Sequence, residues 1–279
     1  MGESRFTETA KFIARQLKMQ FLHFLGAGAF KETFLVNNDK GMPFALKLVD
    51  PDKLHEERLK REVTANITCQ SAYIARLHEY GSAEHSGRNW FYVVEEYLDG
   101  GTLTGKLPVS VKFAENFIVC LLKAISCLKD HNLVHRDIKP DNIMFRSGSD
   151  NPVLVDFGLV RALNDSSITQ SWLMMGPGTP YFASPEQLNN DKYLISWLSD
   201  QFSLALTTAF ALTSRHPFAP SEGENTEAVS RVAGREMVAD WFKEYAIKNH
   251  MEYLLKMLEP WPHRRFNNID DLLKTIHGR

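Results

Sequence analysis

The residues best suited to chemistry lie in one short stretch, His135-Arg-Asp-Ile-Lys-Pro-Asp-Asn142, which holds a carboxylate, an ammonium and an amide. Asp137 can accept a hydroxyl proton or orient the hydroxyl. Lys139, two residues on, can sit on a transferring phosphoryl group, and Asn142 offers an oxygen suited to Mg2+. Fourteen residues after Asn142 comes Asp156-Phe-Gly158, directly behind the apolar run Val153-Leu-Val155, so a second carboxylate ligand stands at the end of a strand. Upstream, Gly26-Ala-Gly-Ala-Phe30 sits between two apolar runs. Glycines there let backbone N–H groups approach an anion closely, although the same pair also suits a plain hairpin turn. Lys47, in Phe-Ala-Leu-Lys, follows Gly28 by 19 residues. A lysine on an apolar strand ordinarily faces solvent. A functional role needs an acid partner, and Glu62 in the next, charged segment is the candidate.

Short apolar runs at Phe21–Leu25, Thr33–Val36 and Pro43–Val49, separated by Gly26-Ala-Gly and Asn37-Asn-Asp-Lys-Gly, predict a strand meander. A short amphipathic helix over Thr7–Leu17 precedes it, with Ala10, Ile13 and Leu17 close to helical spacing. Asp50–Gln70 is helical in character, and two further strands are expected near 75–80 and 90–95. Asp99-Gly-Gly101 then breaks the chain. Beyond it, Phe113, Phe117, Cys120, Leu121, Ala124 and Leu128 mark one face of a long helix. Two short strands flank the turn at Arg146–Asp150, and Trp197–Leu212 is apolar on nearly all sides, as a central buried helix would be.

These motifs resemble those of the eukaryotic-like (Hanks-type) protein kinases, serine/threonine class, over residues 21–275. Within that family, Tyr181-Phe-Ala-Ser-Pro-Glu-Gln187 and Thr169-Gln-Ser171 look most like the bacterial enzymes. The resemblance implies an α+β, bilobal fold. A small antiparallel β-sheet N-lobe with the αC helix spans 21–98, and a larger, mainly helical C-lobe spans 99–279. The two form one catalytic domain behind an N-terminal helical extension at 1–20.

It also assigns roles. Gly26, Ala27 and Gly28 form the loop over the ATP phosphates, Lys47 contacts the α- and β-phosphates, and Glu62 is its ion-pair partner. Ala45, Met144 and the hinge Glu96–Leu98 belong to the nucleotide pocket. Asp137 is the catalytic base with Lys139 beside it, and Asn142 and Asp156 are the metal ligands. His135, Arg136, Phe157, Gly158 and the buried Asp200 are architectural, and Glu186 pairs with Arg265. Thr169, Ser171 and Thr179 lie in the activation segment, where autophosphorylation is expected, with Arg136 receiving the phosphate. The implied cofactors are ATP and Mg2+, or Mn2+ in its place. The implied partners are protein substrates bearing Ser or Thr, and a second copy for trans-autophosphorylation.

Four positions depart from the pattern. Lys31 stands at the third glycine of the loop and Thr33 where a valine packs on adenine. Asn66 and Glu95 fall where the family has apolar side chains behind the ATP site, and they are expected to compensate one another by hydrogen bonding. Gly176-Pro-Gly178 reads as a small insertion. The alternative function is a pseudokinase, a nucleotide-binding scaffold or regulatory module, which the polar Asn66 and Glu95 favour. Lys47, Glu62, Asp137, Asn142 and Asp156, all present, argue against it. A small-molecule phosphotransferase shares a similar Asp-to-Asn spacing but lacks the Gly178-Thr…Pro185-Glu segment.

Composition narrows the remaining classes. Of 279 residues 44% are hydrophobic and 24% charged, which excludes a wholly disordered or collagen-like chain. A net charge of −2 supplies no field for nucleic acid or an anionic membrane. No leader or membrane span is expected, and the location implied is cytoplasmic. Cys69, Cys120 and Cys127 read as reduced packing thiols, and the ten histidines as outside any metal-ligand spacing.

Overall fold

The structure, a computed structural model, describes residues 4–28, 31–53, 63, 67, 69–156, 161–162, 180–221 and 225–278. The chain forms two compact units, one of residues 1–67 and 75–98, the other of 68–74 and 99–279. The N-terminal helix, expected as an extension, belongs to the first unit, and 68–74 belongs to the second.

In the first unit the meander becomes five antiparallel strands: β1 (Gln20–Ala27), β2 (Lys31–Asn37), β3 (Pro43–Val49), β4 (Leu77–His85) and β5 (Arg88–Glu96). Their order in the sheet is β1-β2-β3-β5-β4. Side chains alternate across a sheet, so its two faces can be read from the register. Phe34, Val36, Phe44, Leu46, Leu48, Trp90, Tyr92 and Val94 form one face, and they bury Ala10, Ile13 and Ala14 of helix α1 (Thr7–Gln16). Thr33, Leu35, Ala45, Lys47, Val93 and Glu95 share the other, since Thr33 pairs with Lys47, Lys47 with Val93, and Ala45 with Glu95.

Helix α1 has no side-chain cap of its own. Glu32 of β2 takes over that task, accepting from Ser4 Oγ at 2.7 Å and from the Arg5 and Phe6 backbone N–H groups at 3.3 Å. A carboxylate at the helix start meets orphan donors and the positive end of the helix dipole.

The second unit is built on helices α2 (Val111–Asp130) and α4 (Trp197–Thr213), which pack together. Ser110 starts α2, its side chain accepting from Phe113 N. Around them lie α3 (Pro185–Leu188), α5 (Asn225–Ala233), α6 (Asp240–Lys248), α7 (Glu252–Met257) and α8 (Ile269–His277). Two small antiparallel pairs complete it: β6 (Leu133–Val134) with β9 (Arg161–Ala162), and β7 (Ile143–Phe145) with β8 (Pro152–Leu154). The Asp99-Gly-Gly break has a steric cause. A Cβ on Gly100 would stand 2.8 Å from the Phe145 and Arg146 carbonyl oxygens, and Gly101 has φ +75°.

No described helix is long and apolar enough to cross a membrane. The most apolar one, α4, is buried along nearly its whole length, and its polar side chains are bonded internally. Gln201 exchanges two hydrogen bonds with the Phe266 backbone. Arg265 forks onto Glu186 at 2.7 and 3.0 Å, and Ser199 Oγ donates to the same carboxylate at 2.7 Å. Both members of that ion pair are fully buried. Removing either would strand a charge in the interior, at a cost of about 3–5 kcal/mol.

Beyond α4, His216 is buried with both ring nitrogens engaged. Nε2–H donates to Tyr181 O at 2.9 Å, and Nδ1 accepts from Phe218 N at 3.2 Å. This arrangement requires the neutral ring, and burial lowers the pKa to about 4. The unfolded chain therefore binds a proton that the native state refuses as pH falls from about 6.5 towards 4, and stability declines over that window. The full effect is about 3 kcal/mol. Denaturant melts at successive pH values should show a shallower slope, by up to one proton, in His216→Gln. An unchanged slope would contradict the assignment.

Candidate active site

On the first unit, Lys47 and Glu95 meet because β3 and β5 are paired with Ala45 opposite Glu95. Lys47 Nζ donates to Glu95 Oε2 at 2.5 Å, and the residues are 7% and 2% exposed. The second oxygen, Oε1, is buried and has no hydrogen-bond partner among the described residues. Glu95 is thus a counter-ion of Lys47. Asn66, expected to compensate it, lies outside the described residues, as does Glu62, the partner expected for Lys47.

Ala45 lies one turn of the pleat from Lys47 on the same face, while Glu96 and Leu98 follow Glu95 towards the end of the unit. Glu96 N donates to Arg76 O at 2.8 Å. At the glycine loop, Gly28 N donates to Lys31 O at 2.8 Å. Gly26 and Gly28 have no left-handed backbone, and a Cβ on Gly26 would meet nothing within 4 Å. No internal contact demands glycine at position 26. The open space there fits the approach of an external group such as a phosphate.

On the second unit, the loop after β6 hangs from α4. Asp200 Oδ2 accepts from His135 N and Oδ1 from Arg136 N, each at 2.8 Å. Burial pushes the Asp200 carboxyl up to about 7, against the downward pull of those two N–H groups. Thr207 Oγ1 donates to Ile138 O at 3.2 Å, and Gln187 Nε2 to Arg136 O at 3.0 Å. Arg136 has φ +68° and Asp156 φ +72°, left-handed conformations that cost non-glycine residues about 1–3 kcal/mol and persist where the surroundings impose them.

His135 joins the two carboxylate-bearing segments. Its Nδ1 accepts from Asp137 N at 3.2 Å, and its Nε2–H donates to Val155 O, also at 3.2 Å, next to Asp156. Asn142 and Asp156 flank the same end of the β7–β8 hairpin, whose ladder pairs Ile143 with Leu154 and Met144 with Val153. The Asn142 amide nitrogen donates to Asp137 Oδ2 at 2.7 Å and to Asp137 O at 2.9 Å, which turns its oxygen end away from Asp137. Lys139 Nζ lies 3.0 Å from Asp137 Oδ2. Burial raises the Asp137 pKa, Lys139 opposes the rise, and the nearby Asp156 charge adds to it. The result is a carboxylate more basic than an exposed one. Asn142 and Asp156 offer hard oxygen donors that fit a divalent cation such as Mg2+.

The structure brings together Asp137, Lys139, Asn142, His135 and Asp200, and separately Lys47 with Glu95. Phe157, Gly158, Thr169, Ser171, Thr179 and Gly176–Gly178 lie outside the described residues. Sequence reasoning missed the supports: Thr207 and Gln187 hold the loop, and Glu32 caps α1. Nothing local marks Thr207 or Gln187, whereas Glu32 on an inward-facing strand position was a visible anomaly.

One unit thus carries a buried strand lysine with its carboxylate, and the other a loop with a carboxylate of raised pKa beside two oxygen donors. Residues 19–276 match the protein kinase domain family, and the chain belongs to that family. It is 33% identical over 215 residues, 69% of its length, to serine/threonine-protein kinase PknA of Nostoc sp., covering 36% of that protein. It is 26% identical over 272 residues, 91% of its length, to serine/threonine-protein kinase D of Synechocystis sp., covering 50% of it. To PknD of Mycobacterium tuberculosis it is 29% identical over 208 residues, 71% of its length and 30% of that protein. The chain thus spans half or less of these three relatives.

Because Lys47 and Glu95 are both buried, the energy of their contact can be measured. Glu95→Leu is expected to lower folding stability by about 3 kcal/mol, the usual scale for breaking a buried pair. Lys47→Met in the same background should recover part of that loss, as read by denaturant unfolding in a double-mutant cycle. Simple additivity would show that the contact contributes nothing.

Proposed function

We propose that the chain is a serine/threonine protein kinase, transferring the γ-phosphoryl group of ATP to protein hydroxyls with a divalent cation. The observation that carries this reading is Asp137, a carboxylate of raised pKa held between Lys139 and Asn142 on a loop anchored to Asp200. Bound Mg·ATP, or its Mn2+ counterpart, would supply the phosphoryl group and the positive charge that neutralises its oxygens. Asp137 orients the substrate hydroxyl and accepts its proton as the oxygen bonds to phosphorus. Lys139 offsets charge on the transferring group, and Asn142 and Asp156 hold the cation. Lys47 and the Gly26–Gly28 turn serve the remaining phosphates, with Ala45, Met144, Glu96 and Leu98 for the base. Catalysis on this plan is mainly positioning and charge neutralisation.

The Arg136 guanidinium, on a residue only 5% exposed, supports a phosphate-receiving role towards Thr169, Ser171 or Thr179 after autophosphorylation between two copies. Cys69, Cys120 and Cys127 are thiols outside any disulfide, which accords with a reducing, cytoplasmic setting.

One observation favours the second reading, a nucleotide-binding pseudokinase. Glu95 occupies Lys47 with a carboxylate that competes with phosphate for the same ammonium. Phosphosite mapping after incubation with ATP, in Mg2+ and in Mn2+, separates the two. The kinase reading expects new phosphoserine or phosphothreonine in the wild type. It also expects transfer reduced at least about a hundredfold in Asp137→Asn, the scale of a lost general base, and a comparable loss in Asp156→Asn. ATP binding without any transfer by the wild type would favour the pseudokinase.

A further inference from the structure

Cys69, Cys127 and His131 bring their Sγ, Sγ and ring-nitrogen atoms within 4.8 Å of one another. Cys127 and His131 stand one turn apart at the C-terminal end of α2, where His131 is the residue that ends the helix. Cys69 approaches from the 68–74 segment of the same unit. The Cys69 Sγ to His131 Nδ1 distance is 3.6 Å. A tetrahedral zinc ion with Zn–S of about 2.3 Å and Zn–N of about 2.05 Å sets those two ligand atoms about 3.6 Å apart. The matching sulfur-to-sulfur edge is about 3.8 Å, so Cys127 needs to move by no more than an ångström or so.

We propose that Cys69, Cys127 and His131 form a binding site for a zinc-class divalent ion, with water as the fourth ligand. The burial gradient suits such a site. Cys69 is buried, Cys127 half-buried and His131 exposed, so an ion can enter from solvent and keep one open position. Two thiolates and an imidazole are soft and borderline donors, which select zinc over the magnesium that oxygen donors hold. Without metal, Nδ1 donates to Cys127 O at 2.8 Å and the Cys69 thiol points to the same carbonyl at 3.5 Å. Binding exchanges these contacts for metal–ligand bonds. Both thiol protons leave, and the imidazole binds through Nδ1 with its remaining proton on Nε2. No electrons are transferred.

The consequence is a clamp. The 69–74 segment already braces the hairpin that carries Asn142 and Asp156: Leu154 N donates to Tyr73 O at 2.8 Å, and Arg146 Nη1 donates to Ala72 O at 3.1 Å. An ion at Cys69 fastens the start of that brace to α2, four residues ahead of His135. This site is independent of the phosphotransfer reading.

The test titrates the reduced, metal-stripped full chain with Co2+ alone and follows the thiolate-to-cobalt charge-transfer and tetrahedral d–d absorptions. Cation binding at oxygen donors such as Asn142 and Asp156 produces no thiolate band. The expected result is one equivalent bound with a thiolate band, displaced by Zn2+, and a melting temperature that rises with Zn2+ concentration. Cys127→Ser and His131→Ala should each weaken cobalt binding more than about a hundredfold, since losing a group that only hydrogen-bonds a metal ligand already costs about 10- to 100-fold. Cys120→Ser should bind as the wild type does. Because Cys127 and His131 are not fully buried, their variants remain folded for comparison even if Cys69→Ser does not. A wild type lacking the thiolate band, or a band that survives in both Cys127→Ser and His131→Ala, overturns the proposal.

Discussion

The second unit depends on one contact, the carboxylate of Asp200 receiving two consecutive backbone N–H groups. A buried carboxylate is costly unless its oxygens are matched by donors. Here the His135 and Arg136 amides are those donors, and Arg136 takes up a left-handed conformation where they meet Asp200. That kink fixes the direction in which the chain leaves β6. His135 then turns its ring between the Asp137 amide and the Val155 carbonyl, so one imidazole sets the spacing of the segments that carry Asp137 and Asp156. The helix that supplies Asp200 is buried on every side, which makes it a rigid reference for the loop.

Both lysines with an expected phosphate role are already held by carboxylates: Lys47 by Glu95, Lys139 by Asp137. Each pair spares an ammonium from standing uncompensated in a low-dielectric surrounding. The pairs differ in depth. Lys139 and Asp137 are partly open, whereas Lys47 and Glu95 are almost wholly enclosed. Glu95 also keeps a buried oxygen that no described residue matches.

Much of this was legible in the sequence because the information is local. Asp137, Lys139 and Asn142 lie on one loop, and the helices α1, α2 and α4 announce themselves by the spacing of their apolar residues. What was not legible depends on register. Lys47 and Glu95 are 48 residues apart and meet only because two strands pair with Ala45 opposite Glu95. Likewise Glu32 meets the start of α1 only because the helix docks its N-terminus there, and 68–74 joined the second unit although the chain on both sides belongs to the first. Cys127 and His131 illustrate the same limit. Their four-residue spacing suits a helix face, but nothing local foretells that Cys69 will stand opposite.

Asp200 is the anchor of the loop that carries Asp137, and hydrogen exchange tests that anchoring directly. In the wild type, the His135 and Arg136 amides should exchange as slowly as the core of α4. In Asp200→Asn one oxygen must give way to an NH2 group that cannot accept. One of those two amides should then lose protection by about a hundredfold or more, the scale of a buried donor left unmatched, while α4 itself stays protected. Equal protection of both amides in the two proteins would contradict the account.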